Sequence, residues 1–167
     1  MAVVCTSSYL SPLGPVTLAC DDQAVIGLWF DGQRYFGSTL PPDAQRQEHP
    51  LLDQAKKWLD IYFSGHDPRF LPPIRYGSTP FRKAVCDVML TIPYGGTMTY
   101  GQIAAALGRQ RMSARAVGLA VGRNPISLLI PCHRVVGADG SLTGYSGGLS
   151  RKAALLELER SGLSGTP

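Results

Sequence analysis

A proline-rich stretch divides this sequence into two parts with different hydrophobic patterns. Residues 66–77 contain three prolines, end in glycine and show no helical periodicity, so they are typical of a linker. A chain of 167 residues has the length of about one domain, or of two small ones that share a boundary. We therefore predict an N-terminal domain over residues 1–77, with the linker from about residue 66, and a C-terminal domain over residues 78–167.

The first part has the pattern of a small sheet with a helix across it. Short β-type segments are predicted at Val3–Tyr9, Val16–Ala19 and Val25–Phe30, and residues typical of hairpin turns separate them. Over residues 50–64 the apolar side chains recur at three- and four-residue steps, and Gly65 follows them. This pattern predicts an amphipathic helix.

The second part is mainly helical. Three predicted helices begin at hydroxyl side chains that can cap them: Thr79, Thr99 and Ser113. A helix, a short helix, a loop and a third helix are typical of a helix-turn-helix DNA-binding unit, although other three-helix clusters share this order. An apolar strand at Ser127–Ile130 and a last helix capped by Ser150 are predicted to follow.

The charge is distributed unevenly between the two parts. Residues 1–77 carry six Arg or Lys against eight Asp or Glu, a net charge of −2, whereas residues 78–167 carry ten against four, a net charge of +6. The basic part favours a polyanionic partner such as nucleic acid, and a solvated basic surface is the alternative. No apolar run approaches the roughly 18 to 20 residues of a membrane span. The N-terminus also lacks the basic start of a signal peptide, so we expect a cytoplasmic protein without a membrane partner.

One cysteine has surroundings that suggest chemistry. The four cysteines form no CxxC pair, and a reducing compartment makes disulfides unexpected: Cys5, Cys20, Cys86 and Cys132. Cys132 follows the apolar strand and precedes His133 and Arg134, which can supply a base and a cation to a thiol. His133 reaches the thiol only if the chain turns there, because successive side chains of a strand point to opposite faces. From spacing alone, Cys132 is either a nucleophile or an inert buried cysteine.

The residues around Cys132 resemble a known active-site signature. Ile130-Pro131-Cys132-His133-Arg134-Val135 is similar to the signature of the O6-alkylguanine-DNA alkyltransferases. The likeness covers residues 79–160, with matching motifs in the same order: Thr79-Pro80-Phe81, Ile92-Pro93-Tyr94-Gly95, Thr99-Tyr100-Gly101-Gln102-Ile103-Ala104, Arg115-Ala116-Val117-Gly118, Asn124-Pro125, Gly144-Tyr145-Ser146-Gly147-Gly148 and Lys152 to Glu159. The Ser11-Pro12-Leu13-Gly14 hairpin carries a fainter likeness into the first part.

The resemblance implies a fold and an activity. The fold is α+β, with a small ribonuclease-H-like α/β N-terminal domain followed by a winged helix-turn-helix C-terminal domain. The activity is direct-reversal DNA repair, in which Cys132 irreversibly accepts the alkyl group from O6 of guanine, or from O4 of thymine, in duplex DNA. Such a protein acts once and needs no cofactor. His133, Glu159 and Asn124 are the implied catalytic partners, although Glu159 taken alone reads as a solvated helix residue.

The resemblance also assigns DNA and substrate contacts. Arg115 is the implied finger that fills the base stack when the target nucleotide is flipped out. Small neighbours suit a helix in a minor groove: Ala114, Ala116 and Gly118. The implied substrate-binding residues are Tyr100, Val135, Tyr145, Ser146 and Gly147. The partner is double-stranded DNA with alkylated guanine, bound by a monomer, with cooperativity along the DNA left open.

Several departures from the family pattern bear on these expectations. Cys86 stands where many members have Trp, Ser127 where some have Pro, and the loop over residues 108–112 is about one residue longer than usual. Certain members bind a structural zinc through two Cys and two His. Cys5 and Cys20 are present here, but no His lies just after Cys20, so we predict no metal.

Two other functions are compatible with the sequence. A non-catalytic relative would recognise alkylated guanine without accepting its alkyl group, and the presence of Cys132 argues against it. A cysteine hydrolase with a basic surface would turn over many times on an ester or amide.

Overall fold

The computed structural model describes residues 3–108 and 113–164. The chain folds into two compact units, Met1–Arg75 with Pro125–Leu129, and Tyr76–Asn124 with Ile130–Pro167. The second piece of the first unit is a short segment that a division of the sequence at residue 77 does not include. Most of the loop that the sequence suggests is longer than usual, residues 109–112, lies outside the described residues.

The first unit is built on a four-stranded sheet in the order β3-β2-β1-β4. The strands are β1 (Cys5–Ser11), β2 (Gly14–Cys20), β3 (Val25–Phe30) and β4 (Gln45–Arg46). The first three are antiparallel neighbours, and β4 runs parallel to β1. The three predicted β-type segments are therefore confirmed, whereas the two-residue β4 has no signal in the hydrophobic pattern.

One helix covers this sheet. It is α1 (Pro50–Phe63), and its apolar stripe is buried as the periodicity predicts: Leu51, Leu52, Ala55, Trp58, Leu59 and Tyr62. His49 caps it, because its Nδ1 accepts a hydrogen bond of 3.0 Å from the Leu51 backbone N–H. All six residues of β3 are buried, so this strand contributes both of its faces to the core of this unit.

The strand predicted at Ser127–Ile130 is wrong. The chain forms an isolated parallel bridge, Leu28 with Ile126, just before this segment, and then turns at Leu128 and Leu129. Leu128 has a φ of 73°, in the left-handed region, and the Leu129 N–H donates to the Ser127 carbonyl at 2.9 Å. Because an extended strand cannot contain a left-handed residue, pairing stops there.

The second unit is mainly helical. Its elements are α2 (Pro80–Met89), β5 (Met98–Thr99), α3 (Tyr100–Ala106), α4 (Ala114–Gly122), a 3₁₀ helix (Cys132–Arg134), β6 (Val135–Val136) and α5 (Leu149–Ser164). Thr79, Thr99 and Ser113 cap α2, α3 and α4 as predicted. The expected cap of the last helix is wrong by two residues, since α5 begins at Leu149, which makes Gly148 the capping position, and already contains Ser150.

The helices α2, α3 and α4 pack together and form the helix-turn-helix arrangement. Their shared core consists of buried apolar side chains, among them Val85, Met89, Ile103, Val117 and Val121. The parallel pair β5 and β6 joins Met98 to Val135 and so places the start of α3 beside the chain that follows Cys132. The fold is α+β, with the sheet in the N-terminal part and the helices of the second unit in the C-terminal part. None of the helices in residues 3–108 and 113–164 has the length and apolar character that crossing a membrane requires.

Candidate active site

Cys132 lies at a turn rather than on a strand. It is the first residue of the 3₁₀ helix and is 2% exposed. Its backbone N–H donates to the Ile130 carbonyl at 2.8 Å, and the Arg134 N–H donates to the Pro131 carbonyl at 3.0 Å. The turn that an approach of His133 to the thiol requires is therefore present.

His133 is held by the carboxylate of Glu159. Both side chains are buried, and the Nε2 atom of His133 lies 2.5 Å from Oε2 of Glu159. This contact fixes the orientation of the ring, and the other ring nitrogen, Nδ1, is also buried. The structure therefore brings together the histidine and the carboxylate that the resemblance pairs.

The carboxylate of Glu159 contacts hydrogen-bonding groups of three residues. Besides His133, its Oε1 atom accepts from the Gly95 N–H at 2.9 Å and from Nε of Arg134 at 2.8 Å. Nη2 of Arg134 donates to the other oxygen at 3.2 Å, and Nη1 donates to the Ile92 carbonyl at 2.7 Å. Arg134, suggested from the sequence as a cation for the thiol, is thus committed to Glu159.

The environment lowers the pKa values of both Glu159 and His133. Burial raises the pKa of Glu159, but the hydrogen bonds and charges of His133 and Arg134 outweigh it and lower the pKa to about 2. Burial lowers the pKa of His133 below its usual value of 6.5, against the opposing effect of Glu159. At neutral pH the site therefore contains an ionised carboxylate and a neutral imidazole that can accept a proton.

Asn124 supports the segment that leads to the cysteine. Its Nδ2 donates to the Ile130 carbonyl at 3.0 Å in a buried position, just after α4 ends. The end of α4 is thereby joined to Ile130, whose carbonyl also accepts a hydrogen bond from the Cys132 N–H. Asn124 acts through the backbone, which agrees with the buttressing role that the resemblance implies.

Lys152 is a site residue that the sequence reasoning missed. Its ammonium is fully buried, and Nζ donates to the carbonyls of Thr143 at 2.8 Å and Gly144 at 3.4 Å. Burial lowers its pKa, while the charge of Cys132 raises it, so the two groups influence each other. A signal does exist in the sequence, because Lys152, Leu155 and Glu159 follow the spacing of one helix face and all three are buried.

The predicted substrate residues surround the loop that Lys152 holds. Tyr100 donates from its hydroxyl to the Thr143 carbonyl at 3.2 Å, and Arg151 donates to the Gly147 carbonyl at 3.1 Å. Tyr145 and Ser146 are half-buried within this loop, and Val135 is fully buried in β6.

The predicted DNA residues lie along α4. Ala114 and Arg115 are exposed in its first turn, Ala116 and Gly118 are half-buried, and the opposite face packs on α2 and α3. A Cβ atom on Gly118 would lie 3.6 Å from the Tyr100 ring, which is an ordinary contact. The helix therefore presents a basic side chain outward from a unit that also contains Cys132.

The two histidines of the first unit, His49 and His66, contact groups other than Cys5 and Cys20. His49 caps α1 and lies 3.6 Å from Asp22, and His66 contacts the Ser64 hydroxyl at 3.0 Å. Within residues 3–108 and 113–164 no three His, Cys, Asp or Glu side chains are grouped as a metal site requires. The absence of a metal remains a prediction.

Fold and site together define a two-part α+β protein in which a helix-turn-helix unit contains a buried cysteine followed by a histidine–glutamate pair. Two family models match the chain: "6-O-methylguanine DNA methyltransferase, ribonuclease-like domain" over residues 4–76 and "6-O-methylguanine DNA methyltransferase, DNA binding domain" over residues 80–161. The chain therefore belongs to the 6-O-methylguanine DNA methyltransferase family. These descriptions confirm the family and the two kinds of domain that the sequence suggested.

Individual relatives support the same family. The chain is 43% identical over 150 residues to the methylated-DNA–protein-cysteine methyltransferase of Mycobacterium leprae, a match covering 90% of this chain and 88% of that protein. It is 41% identical over 152 residues to that of Methanosarcina acetivorans, covering 90% and 95%. Among solved structures, Mycobacterium tuberculosis OGT in complex with DNA matches with a TM-score of 0.85 and 40% identity, covering 95% of this chain and 94% of that one.

Proposed function

We propose that this protein repairs alkylated DNA by moving the alkyl group from O6 of guanine to the sulfur of Cys132, once per molecule. The observation that carries this proposal is the buried arrangement of Cys132, His133 and Glu159, in which the glutamate lies 2.5 Å from the ring of the histidine. Membership of a family of methyltransferases that act on DNA supports the same reaction class. The proposal includes O4-alkylthymine as a second substrate, because its alkyl group is attached to the same kind of oxygen.

The reaction begins with a proton transfer. His133 is neutral and accepts the thiol proton of Cys132, directly or through a water, and the ionised Glu159 stabilises the imidazolium that forms. The thiolate then attacks the alkyl carbon, a C–S bond forms, and the C–O bond breaks with its electron pair on the guanine O6. Guanine takes up a proton and is restored. The product is a thioether with no carbonyl for water to attack, so the thiol is not regenerated.

The proposed substrate contacts are at the loop over residues 143–147. A backbone N–H near Ser146 would donate to O6 of the flipped base, and the Val135 carbonyl would accept from its exocyclic amine. Tyr100, Tyr145 and Gly147 would enclose the base. Donors aimed at O6 stabilise the charge that develops on the leaving oxygen. The hydrogen bonds from Lys152 and Tyr100 to the Thr143 carbonyl support this assignment, because they hold the start of the loop, while Arg151 holds its end at the Gly147 carbonyl.

Arg115 is the proposed finger that occupies the place of the flipped nucleotide. Its exposure in the first turn of α4 supports the role, and so do the small residues around it: Ala114, Ala116 and Gly118. Flipping costs a few kcal/mol in duplex DNA and nothing for a free base. Arg115→Ala should therefore slow repair of duplex DNA far more than reaction with the free alkylated base. Equal losses on both substrates would refute the finger role.

The test of the alkyl transfer is mass spectrometry after incubation with duplex DNA containing O6-methylguanine. We expect one added methyl group on the peptide that bears Cys132 and no further turnover. Cys132→Ala should take up none, whereas Cys86→Ala, which alters a second buried thiol of the same unit, should still be methylated. An unmodified Cys132 peptide would overturn the proposal.

Two other outcomes would identify different functions. DNA binding without methyl transfer would indicate a non-catalytic relative that recognises alkylated guanine. Repeated turnover on an ester or amide would indicate a cysteine hydrolase. A monomer acting on DNA in the cytoplasm is part of the same proposal, and sedimentation with and without DNA measures both the oligomeric state and any cooperativity.

A further inference from the structure

Leu119 is a large apolar side chain that the fold leaves in solvent. It is 61% exposed, although it lies in the middle of α4 between Gly118 and Ala120. Three other apolar residues of this helix, Val117, Ala120 and Val121, are buried where α4 packs on α2 and α3. The helix cannot turn Leu119 inward without exposing the valines, so the outward position of the leucine is fixed by the packing of the unit.

Leu119 belongs to a stripe with two arginines. Residues four apart share a helix face, so Arg115 and Leu119 lie on one face of α4, and Arg123 is the C-cap residue one further turn along. All three are exposed. At about 1.5 Å per residue this stripe is about 12 Å long. It has a cation at each end and an apolar centre, and residues 113–124 contain no acidic side chain.

We propose that Leu119 is a second DNA-positioning residue, which enters the minor groove of duplex DNA one helical turn from Arg115 and packs on the base step beside the flipped nucleotide. The inference rests on the proposed function. It adds to that function an apolar contact that holds the duplex open while Arg115 fills the stack.

The chemistry of the stripe matches this partner. A minor groove is about 6 Å wide, with base and sugar edges at its floor and phosphates along both rims. An apolar centre therefore faces the floor, while cations at the two ends reach the rims. Proteins that bind in the minor groove insert leucine and similar side chains between base steps and unstack them. An acidic or purely apolar partner would leave either the leucine or the arginines without a matching surface.

The experiment compares variants on two substrates. Leu119→Ala, Leu119→Met and Leu119→Gln are assayed for the rate of methyl transfer to Cys132 from duplex DNA containing O6-methylguanine, and for reaction with free O6-benzylguanine. Leu10→Ala is the control, since it removes the same atoms from another exposed leucine, on β1. We expect Leu119→Ala to lower the duplex rate about tenfold, the effect of losing roughly 1.4 kcal/mol of apolar contact. Its rate with the free base should equal that of the wild type.

Two further measurements identify the kind of contact. A 2-aminopurine placed beside the lesion should show less unstacking with Leu119→Ala and Leu119→Gln, while Leu119→Met should restore both the signal and the rate. The slope of log affinity against log salt should stay unchanged in Leu119→Ala and fall by about one in Arg123→Ala. A leucine that merely stabilises the fold would lower both rates together.

The inference is overturned if Leu119→Ala repairs the duplex at the wild-type rate, if it loses the free-base reaction equally, or if Leu119→Gln is as active as Leu119→Met. Failure of the proposed function gives a different result, because the wild type itself would then leave Cys132 unmodified. In that case duplex affinity, measured on the same variants by fluorescence anisotropy, still tests the contact of Leu119 with DNA.

Discussion

The carboxylate of Glu159 should contribute more to the stability of the second unit than any surface charge of α5. Burial raises its pKa, but the hydrogen bonds and charges of His133 and Arg134 lower it to about 2, below the ordinary value of 4.5. At a pH where His133 is neutral, the buried ion pair with Arg134 still favours the ionised form in the folded state. Removing one partner from a buried ion pair costs roughly 3 to 5 kcal/mol. Glu159→Gln should therefore lower the free energy of unfolding by about 3 kcal/mol.

The conditions of this measurement follow from the pKa values. Because the folded pKa of Glu159 is below the unfolded one, its contribution is complete above pH 4.5 and is lost as the pH falls toward 2. At pH 8 the carboxylate is fully ionised in both states, and His133 is neutral in both because its folded pKa lies below 6.5. The difference between the two proteins at pH 8 then reports the interactions of the carboxylate without proton uptake.

The assay must observe the correct unit. Both tryptophans, Trp29 and Trp58, lie in the first unit, so their fluorescence does not report directly on α5. Hydrogen exchange of peptides from α5, measured by mass spectrometry across a urea series, observes the helix itself. The matched control is Glu157→Gln on the same helix, where a 62% exposed carboxylate pairs with Arg160 and should contribute less than about 1 kcal/mol. Equal effects of the two substitutions, or a loss below about 1 kcal/mol for Glu159→Gln, would refute the reasoning.

Three further predictions concern single contacts. Asn124→Ala leaves a buried carbonyl at Ile130 without its amide donor, so the second unit should lose about 1 to 3 kcal/mol in urea unfolding and the single-turnover rate should fall; an unchanged rate would contradict the buttressing role. Lys152→Met removes a buried ammonium group, whose pKa is lowered by burial. The stability of the second unit at pH 7 should be retained or increased, while methyl transfer is lost. If methyl transfer is retained, Lys152 is not part of the site. Burial raises the pKa of Asp21, but hydrogen bonds from Arg75 and two backbone N–H groups outweigh it and hold the pKa below 3.8. Asp21→Asn should therefore destabilise the first unit above pH 4, and this effect should disappear as the pH falls below 3.8. Urea unfolding followed by tryptophan fluorescence measures it.

The local features of the fold could be predicted because they depend on neighbouring residues. The caps at Thr79, Thr99 and Ser113 each involve a partner three residues away, and the stripe of α1 needs only one helix period. The strand expected at Ser127–Ile130 failed because a run of apolar residues does not reveal a left-handed residue at Leu128. The left-handed residue follows a bridge from Ile126 to Leu28 of β3, which is remote in the sequence.

In the candidate site, too, some residues could be predicted from their neighbours in the sequence and others could not. Cys132 and His133 could be selected from their spacing, but Glu159 lies 26 residues after His133 and was identified only through the resemblance. The commitment of Arg134 to Glu159 and the burial of Lys152 were not predicted. Both depend on which face of α5 packs against the 3₁₀ helix, and this is a property of the assembled unit rather than of any short segment.

The carboxylate of Glu159 joins pieces of chain that are synthesised far apart in time. Its acceptor oxygens bind Gly95, 64 residues earlier, and His133, 26 residues earlier. During translation Cys132 and His133 therefore leave the ribosome well before the group that orients the imidazole. A nascent or truncated chain has the thiol without the contact that orients His133, and the proposed site is complete only when α5 has been made and has docked.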